Sequence, residues 1–154
     1  MNADPRTRLA ELGLDLPKVS PPKGAYIPAV LSGNLLFVSG QVPMQDGEVV
    51  ETGLVGADIA PERAAQLARQ CALAALAAAD SIIGIERVRR TVRVTGYVAS
   101  ATDFAGQAAV VDGASQLLGE LFGDAGRHAR TSVGVPCLPL GAPVEIELLL
   151  EVEA

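Results

Sequence analysis

The chain has 154 residues, 49% of them hydrophobic and 19% charged, the size and balance of one folded domain and not of a disordered segment. Its formal net charge of −6 disfavours non-specific attraction to nucleic acid or to an anionic membrane. Aromatic residues make up 3% and tryptophan is absent, so the core must be built from Ala, Val, Leu and Ile, and there is little material for a base-stacking platform.

No run reaches the roughly eighteen unbroken apolar residues of a spanning helix, and MNADPRTRLAEL lacks the apolar centre of a secretion signal. A cytoplasmic location is expected. Cys71 and Cys137 have no metal-ligand spacing around them and read as two reduced packing thiols.

In chain order, residues 4–16 predict a short amphipathic helix with Leu9, Leu12 and Leu16 on one side. Pro17, Pro21 and Pro22 then enforce an extended lead-in. Tyr26–Leu31 and Leu35–Ser39 read as strands joined by the hairpin signal Ser32-Gly33-Asn34. Residues 44–57 read as a loop with a turn at Asp46-Gly47. Pro61 opens the strongest helix, running to about Asp80, with Ala64, Leu67, Ala68, Cys71, Ala75 and Ala78 on one face.

From Arg87 to Ala99 the period becomes two. Val88, Val92, Val94 and Val98 share one face with Arg90 and Gly96, and Arg89, Thr91, Arg93, Thr95 and Tyr97 share the other. This second face is basic and hydroxylated, suited to neutralising Glu145, Glu147, Glu151 and Glu153 of the last strand. A second helix is expected from Phe104 to Phe122, started by Asp103 and burying Ala108, Val111, Leu118 and Phe122, with Gly123 as its stop. Strands Ala129–Val135 and Val144–Val152 close the chain. The order β-β-α-β-α-β-β describes an α+β domain, a mixed sheet with two helices packed on one face. The charged face left over predicts a homo-oligomer that covers it.

The segment GRHARTSVGVPCLPLGAPVEIE, 126–147, concentrates the candidate chemistry. It holds the single histidine, His128, and Arg130, whose planar fork of donors suits a carboxylate or phosphate. An arginine leading one strand and a glutamate early in the next can meet across a sheet, as an anion pocket or as a solvated ion pair. His128, flanked by Arg127 and Arg130, reads as an exposed loop residue dispensable to any chemistry. Phosphate-loop, dinucleotide and zinc signatures are absent from the sequence.

GAYIPAV at 24–30, GNLLFVSGQVP at 33–43, RVRRTVRVTGYVAS at 87–100 with Asp103 and Phe104, and ARTSV followed by a leucine-proline turn and VEIE together resemble the YjgF/RidA family, also called the endoribonuclease L-PSP family. GRHARTSVGV, VVDGAS at 110–115 and the long N-terminal lead resemble one branch of it. On this resemblance residues 1–23 form the lead and 24–154 the family domain. It implies a chorismate-mutase-like fold, a homotrimer with sites in clefts between subunits, no cofactor or metal, and a small carboxylate metabolite as ligand. The implied activity is hydrolytic deamination of reactive 2-imino or 2-enamino acids to 2-oxo acids and ammonia. Arg130 would hold the carboxylate and Glu145 would help to position water, with Tyr26, Gly40, Asp112, Thr131 and Ser132 binding substrate. Ser132 stands where many members carry cysteine, Asp112 where asparagine is usual, and Gly134 where glutamate is familiar. A non-catalytic trimer binding small carboxylates is the alternative reading, followed by an endoribonuclease or translation inhibitor.

Overall fold

The computed structural model describes residues 4–153. Helix α1 spans Pro5–Glu11, with Asp4 capping it through Thr7 N–H at 3.2 Å. It ends well before Pro17 because Gly13 turns the chain at a φ of 67°. Of the three leucines expected to face inward, Leu9 is buried, and Leu12 and Leu16 are packed in part against the core. Arg8 donates from Nε and Nη2 to the Glu120 carbonyl, and Arg6 pairs with Asp80 at 2.6 Å and with Glu86. The lead is therefore tied down next to the C-terminal ends of both long helices.

β1 (Ala29–Ser32) and β2 (Leu35–Gln41) form the expected hairpin. β1 starts later than the sequence suggests because Tyr26 N–H closes a turn on Gly24 O and Pro28 has no N–H to give. The loop after β2 carries a small extra hairpin, β3 (Met44–Gln45) and β4 (Glu48–Val49), turned by Asp46 and Gly47 at positive φ. Helix α2 spans Pro61–Ile83 and buries all six residues expected on its inner face. Cys71 is buried among them, whereas Cys137 is exposed and does not pack as expected.

Strand β5 (Val88–Ala99) is the longest, and its alternation is not the simple one its sequence suggests. Pairing shifts between Val88 and Arg90 and again between Thr91 and Arg93, so two bulges change the parity. Thr91 consequently lies on the core face opposite Leu150, and Arg90 is exposed. From Arg93 onward the expected faces hold. Helix α3 (Gln107–Phe122) begins at Gln107, not Phe104, and leaves Ala108 exposed. Gln107 Nε2 donates back to the Phe104 carbonyl at 2.8 Å, and Phe104 is packed against the core, which keeps residues 101–106 out of the helix.

β6 (Ala129–Val135) and β7 (Val144–Val152) have the boundaries read from sequence. The five-stranded sheet has the order β1-β2-β7-β5-β6, antiparallel except for β5 against β6. β7 alternates throughout, with Val144, Ile146, Leu148, Leu150 and Val152 under the helices. α2 and α3 cover that face. On the other face Arg89 pairs with Glu153, Tyr97 Oη lies 3.4 Å from Glu147, and Val30 and Phe37 remain about half exposed. A shallow cavity of about 400 Å³ opens there between Phe37, Ser39, Arg93, Tyr97 and Glu147.

The helices touch most closely at Gly113, where a Cβ would lie 1.9 Å from the Ala65 carbonyl oxygen. Gly119, in the same helix, has open space around its missing Cβ. Alanine is the better helix former at both, by about 1 kcal/mol. Gly113→Ala should nevertheless lower stability by about 1–3 kcal/mol through forced separation of the helices, whereas Gly119→Ala should raise it by about 0.5–1 kcal/mol. Thermal unfolding of the two variants checks both signs.

Candidate functional site

Arg130 is the second residue of β6 and sits beside Val94 in the parallel pairing. Val94 faces the helices, so the Arg130 side chain rises on the helix side and meets α3. Its Nη1 donates to Asp112 Oδ1 at 2.6 Å and to Ser115 Oγ at 3.1 Å. Asp112 and Ser115 are one turn apart, so one helix face supplies both acceptors. The Arg130 side chain keeps 24% of its exposure. Its Nε and Nη2 have no partner among the described residues, which leaves the two parallel N–H donors of that edge of the fork free.

The neighbours of Arg130 divide between the two faces. Thr131 Oγ1 accepts from Arg93 Nη2 at 3.2 Å, alongside Thr95 on the open face. Ser132 pairs with Gly96, and its buried Oγ has no hydrogen-bond partner. A Cβ on the exposed Gly134 would lie 2.8 Å from Gln107 Nε2, so a longer residue there would displace the end of that side chain.

Glu145, Gly40 and Tyr26 lie toward the other end of the sheet. Pairing of β2 with β7 is interrupted between Val38 and Gln41, and this irregularity brings the Gly40 backbone against Glu145. A Cβ on Gly40 would fall 2.3 Å from Glu145 Oε1, so any other residue would displace the Glu145 carboxylate from this position. Burial first, and then the nearby Glu147 carboxylate, push the Glu145 carboxyl above its ordinary value. Tyr26 Oη accepts from Lys23 N–H at 3.3 Å, which folds the proline-rich lead over Gly40. A small cavity of about 50 Å³ is enclosed there by Pro22, Tyr26, Pro28, Gly40, Gln41 and Leu140.

The residues singled out from sequence therefore form two groups. Arg130, Asp112, Thr131 and Ser132 gather at the β6 edge, and Tyr26, Gly40 and Glu145 at the junction of β2 and β7. Arg130 and Glu145 do not meet across the sheet as the sequence suggested. β5 stands between β6 and β7, which sets their backbones about 10 Å apart, and the two side chains leave opposite faces. The carboxylate partner of Arg130 is Asp112. His128 is likewise not an exposed loop residue: it is half-buried, with Nδ1 2.6 Å from the Gly126 carbonyl and Nε2 2.9 Å from Ser115 Oγ. Ser115 escaped the sequence reading, and only its i+3 spacing from Asp112 on a helix could have suggested it. No group of three or more His, Cys, Asp or Glu suited to a metal occurs among the described residues. Among the same residues no helix is long and apolar enough to cross a membrane.

Comparison with known proteins agrees with this architecture. The family model described as "YjgF/chorismate mutase-like, putative endoribonuclease" matches residues 6–152. Protein TCP17 of Trypanosoma cruzi is 40% identical over 145 residues, covering 93% of this chain and 91% of that protein. A crystal structure described as a putative endoribonuclease from Shewanella oneidensis MR-1 superposes with a TM-score of 0.94 at 32% identity, covering 97% of this chain and 100% of the other. E. coli TdcF with bound serine superposes with a TM-score of 0.60 at 25% identity, over 88% of this chain and 94% of TdcF. With the family sequence pattern running through nearly its whole length and the same sheet and helix layers, this chain belongs to the YjgF/chorismate-mutase-like family.

Proposed function

We propose that the protein is a RidA-like deaminase that hydrolyses reactive 2-imino or 2-enamino acids to 2-oxo acids and ammonia, in a trimer whose sites lie between subunits. The observation that carries this reading is the guanidinium of Arg130, fixed by Nη1 and offering its Nε–Nη2 edge with no acceptor among the described residues. Two parallel charge-assisted bonds to a carboxylate need that edge and nothing else. TdcF binding serine, a small carboxylate, is consistent with it.

In the proposed reaction water adds to C2 of the protonated imine, and the resulting carbinolamine expels ammonia to leave the 2-oxo acid. The step needs no oxidant and no cofactor. Arg130 holds the carboxylate and so fixes the position of C2. Glu145, its carboxyl raised above its ordinary value by burial and by Glu147, positions the water and can take and return a proton. The two groups are too far apart within one chain to share a ligand, so a second copy must bring its β2–β7 junction to the β6 edge of the first. A binding trimer without turnover would use the same fork, and substrate turnover separates the two readings. RNA cleavage finds little support in a chain of net charge −6.

Ammonia release from an imino acid generated by an amino acid oxidase tests the proposal. Wild type should accelerate it, and Arg130→Ala and Arg130→Lys should each lose about thirty-fold or more, as expected for about 2–5 kcal/mol of bidentate charged contact. Equal turnover in a folded Arg130→Ala protein would remove Arg130 from the site.

Subunit complementation tests the shared site. Arg130→Ala and Glu145→Gln chains, each inactive alone, should regain activity when unfolded together and co-assembled, since some interfaces then pair two intact halves. No recovery in verified mixed oligomers would place both residues in one subunit's chemistry.

Glu145 also makes a pH signature. Because its folded carboxyl titrates above its ordinary value, the native state binds more protons than the unfolded chain across that interval. Its contribution to stability is therefore lost as pH rises through it. Glu145→Gln removes this loss, so its melting temperature relative to wild type should be higher at about pH 7 than at about pH 3. Thermal scans at the two pH values decide the sign.

A further inference from the structure

We propose that Ser115 and His128 are positioning residues for Arg130, holding its guanidinium by Nη1 so that the Nε–Nη2 edge is presented to the ligand before the ligand arrives. This rests on the reading of Arg130 as a carboxylate clamp.

The donor directions establish a single chain of bonds. The Gly126 carbonyl can only accept, so at 2.6 Å the His128 Nδ1 carries the proton. In the neutral ring Nε2 is then an acceptor, and Ser115, 2.9 Å away, donates its hydroxyl hydrogen to it. The hydroxyl oxygen then turns a lone pair toward Arg130 Nη1 at 3.1 Å. Each bond fixes the sense of the next, from the arginine through serine and histidine to the backbone.

The far end of the chain is itself immobilised. Gly126 is buried at the end of the short turn Gly123–Gly126 that follows α3. It is seated so closely that a Cβ on it would lie 2.2 Å from the Leu118 carbonyl oxygen. Ser115 and Leu118 belong to the same helix, so α3 both carries the serine and seats the glycine that ends the network. Without Ser115, Nη1 would keep only Asp112, whose side chain is 52% exposed, and the guanidinium could pivot about that one bond. An arginine has several soft torsions, and ordering them in advance lowers the cost of binding.

The probe is 2-oxobutanoate, with affinity per folded molecule measured by calorimetry and melting temperature recorded alongside. Ser115→Ala should weaken binding about tenfold. His128→Phe, which keeps a ring and loses both bonds, should weaken it in the same direction. His128→Gln restores an acceptor toward Ser115 and should recover most of the loss. The double variant Ser115→Ala/His128→Phe should bind no worse than Ser115→Ala, because the two act in series. A purely structural role would lower the melting temperature of these variants and leave affinity unchanged, which would overturn the proposal. So would additive losses in the double variant, or a Gln variant no better than Phe. Arg130→Ala is the control: binding abolished there but untouched in Ser115→Ala and His128→Phe defeats only this inference. Wild-type affinity in Arg130→Ala, or no binding by wild type, defeats the clamp reading and this inference with it.

Discussion

The arrangement of the whole molecule depends on β5 having two different neighbours. It pairs antiparallel with β7 on one side and parallel with β6 on the other. A parallel neighbour cannot be reached by a tight turn and requires a crossover, and α3 is that crossover. The helix therefore has to pass over the β5–β6 side of the sheet, which sets Asp112 and Ser115 above the arginine of β6. The same strand keeps β6 and β7 from touching. One pairing choice thus both builds the support of Arg130 and separates Arg130 from Glu145.

Much of this was legible in the sequence where a period was strong and unbroken. The inner face of α2 and the limits of β6 and β7 follow directly from the spacing of apolar residues. β5 shows where that reasoning stops. Its apolar and polar residues alternate in the sequence, but two irregularities in the ladder exchange the faces of Arg90 and Thr91, which lie between them, and nothing in the local composition marks them. Burial of Thr91 follows, with a hydroxyl that finds no partner, so the strand accepts a polar cost to stay in register with β7.

The site was legible as a set of residue types and not as an arrangement. An arginine and a glutamate fifteen positions apart, on strands consecutive in the chain, invite the assumption that they are neighbours, but sheet order is a tertiary property. His128 shows the same limit. Two flanking arginines make it look solvated, while the contacts that bury it come from α3 and from a carbonyl two residues upstream. The family resemblance singled out Arg130 without indicating that Asp112 and Ser115 would hold it.

Gly134 and Gln107 carry a consequence for how this branch can diverge. The glutamine side chain, held by Ser100 Oγ and the Phe104 carbonyl, fills the space that a side chain at 134 would need. A larger residue at 134 would meet the flexible end of Gln107, which has to swing away and give up its bonds to Ser100 and Phe104. The two positions are thereby coupled: what a side chain at 134 costs depends on the residue that stands at 107.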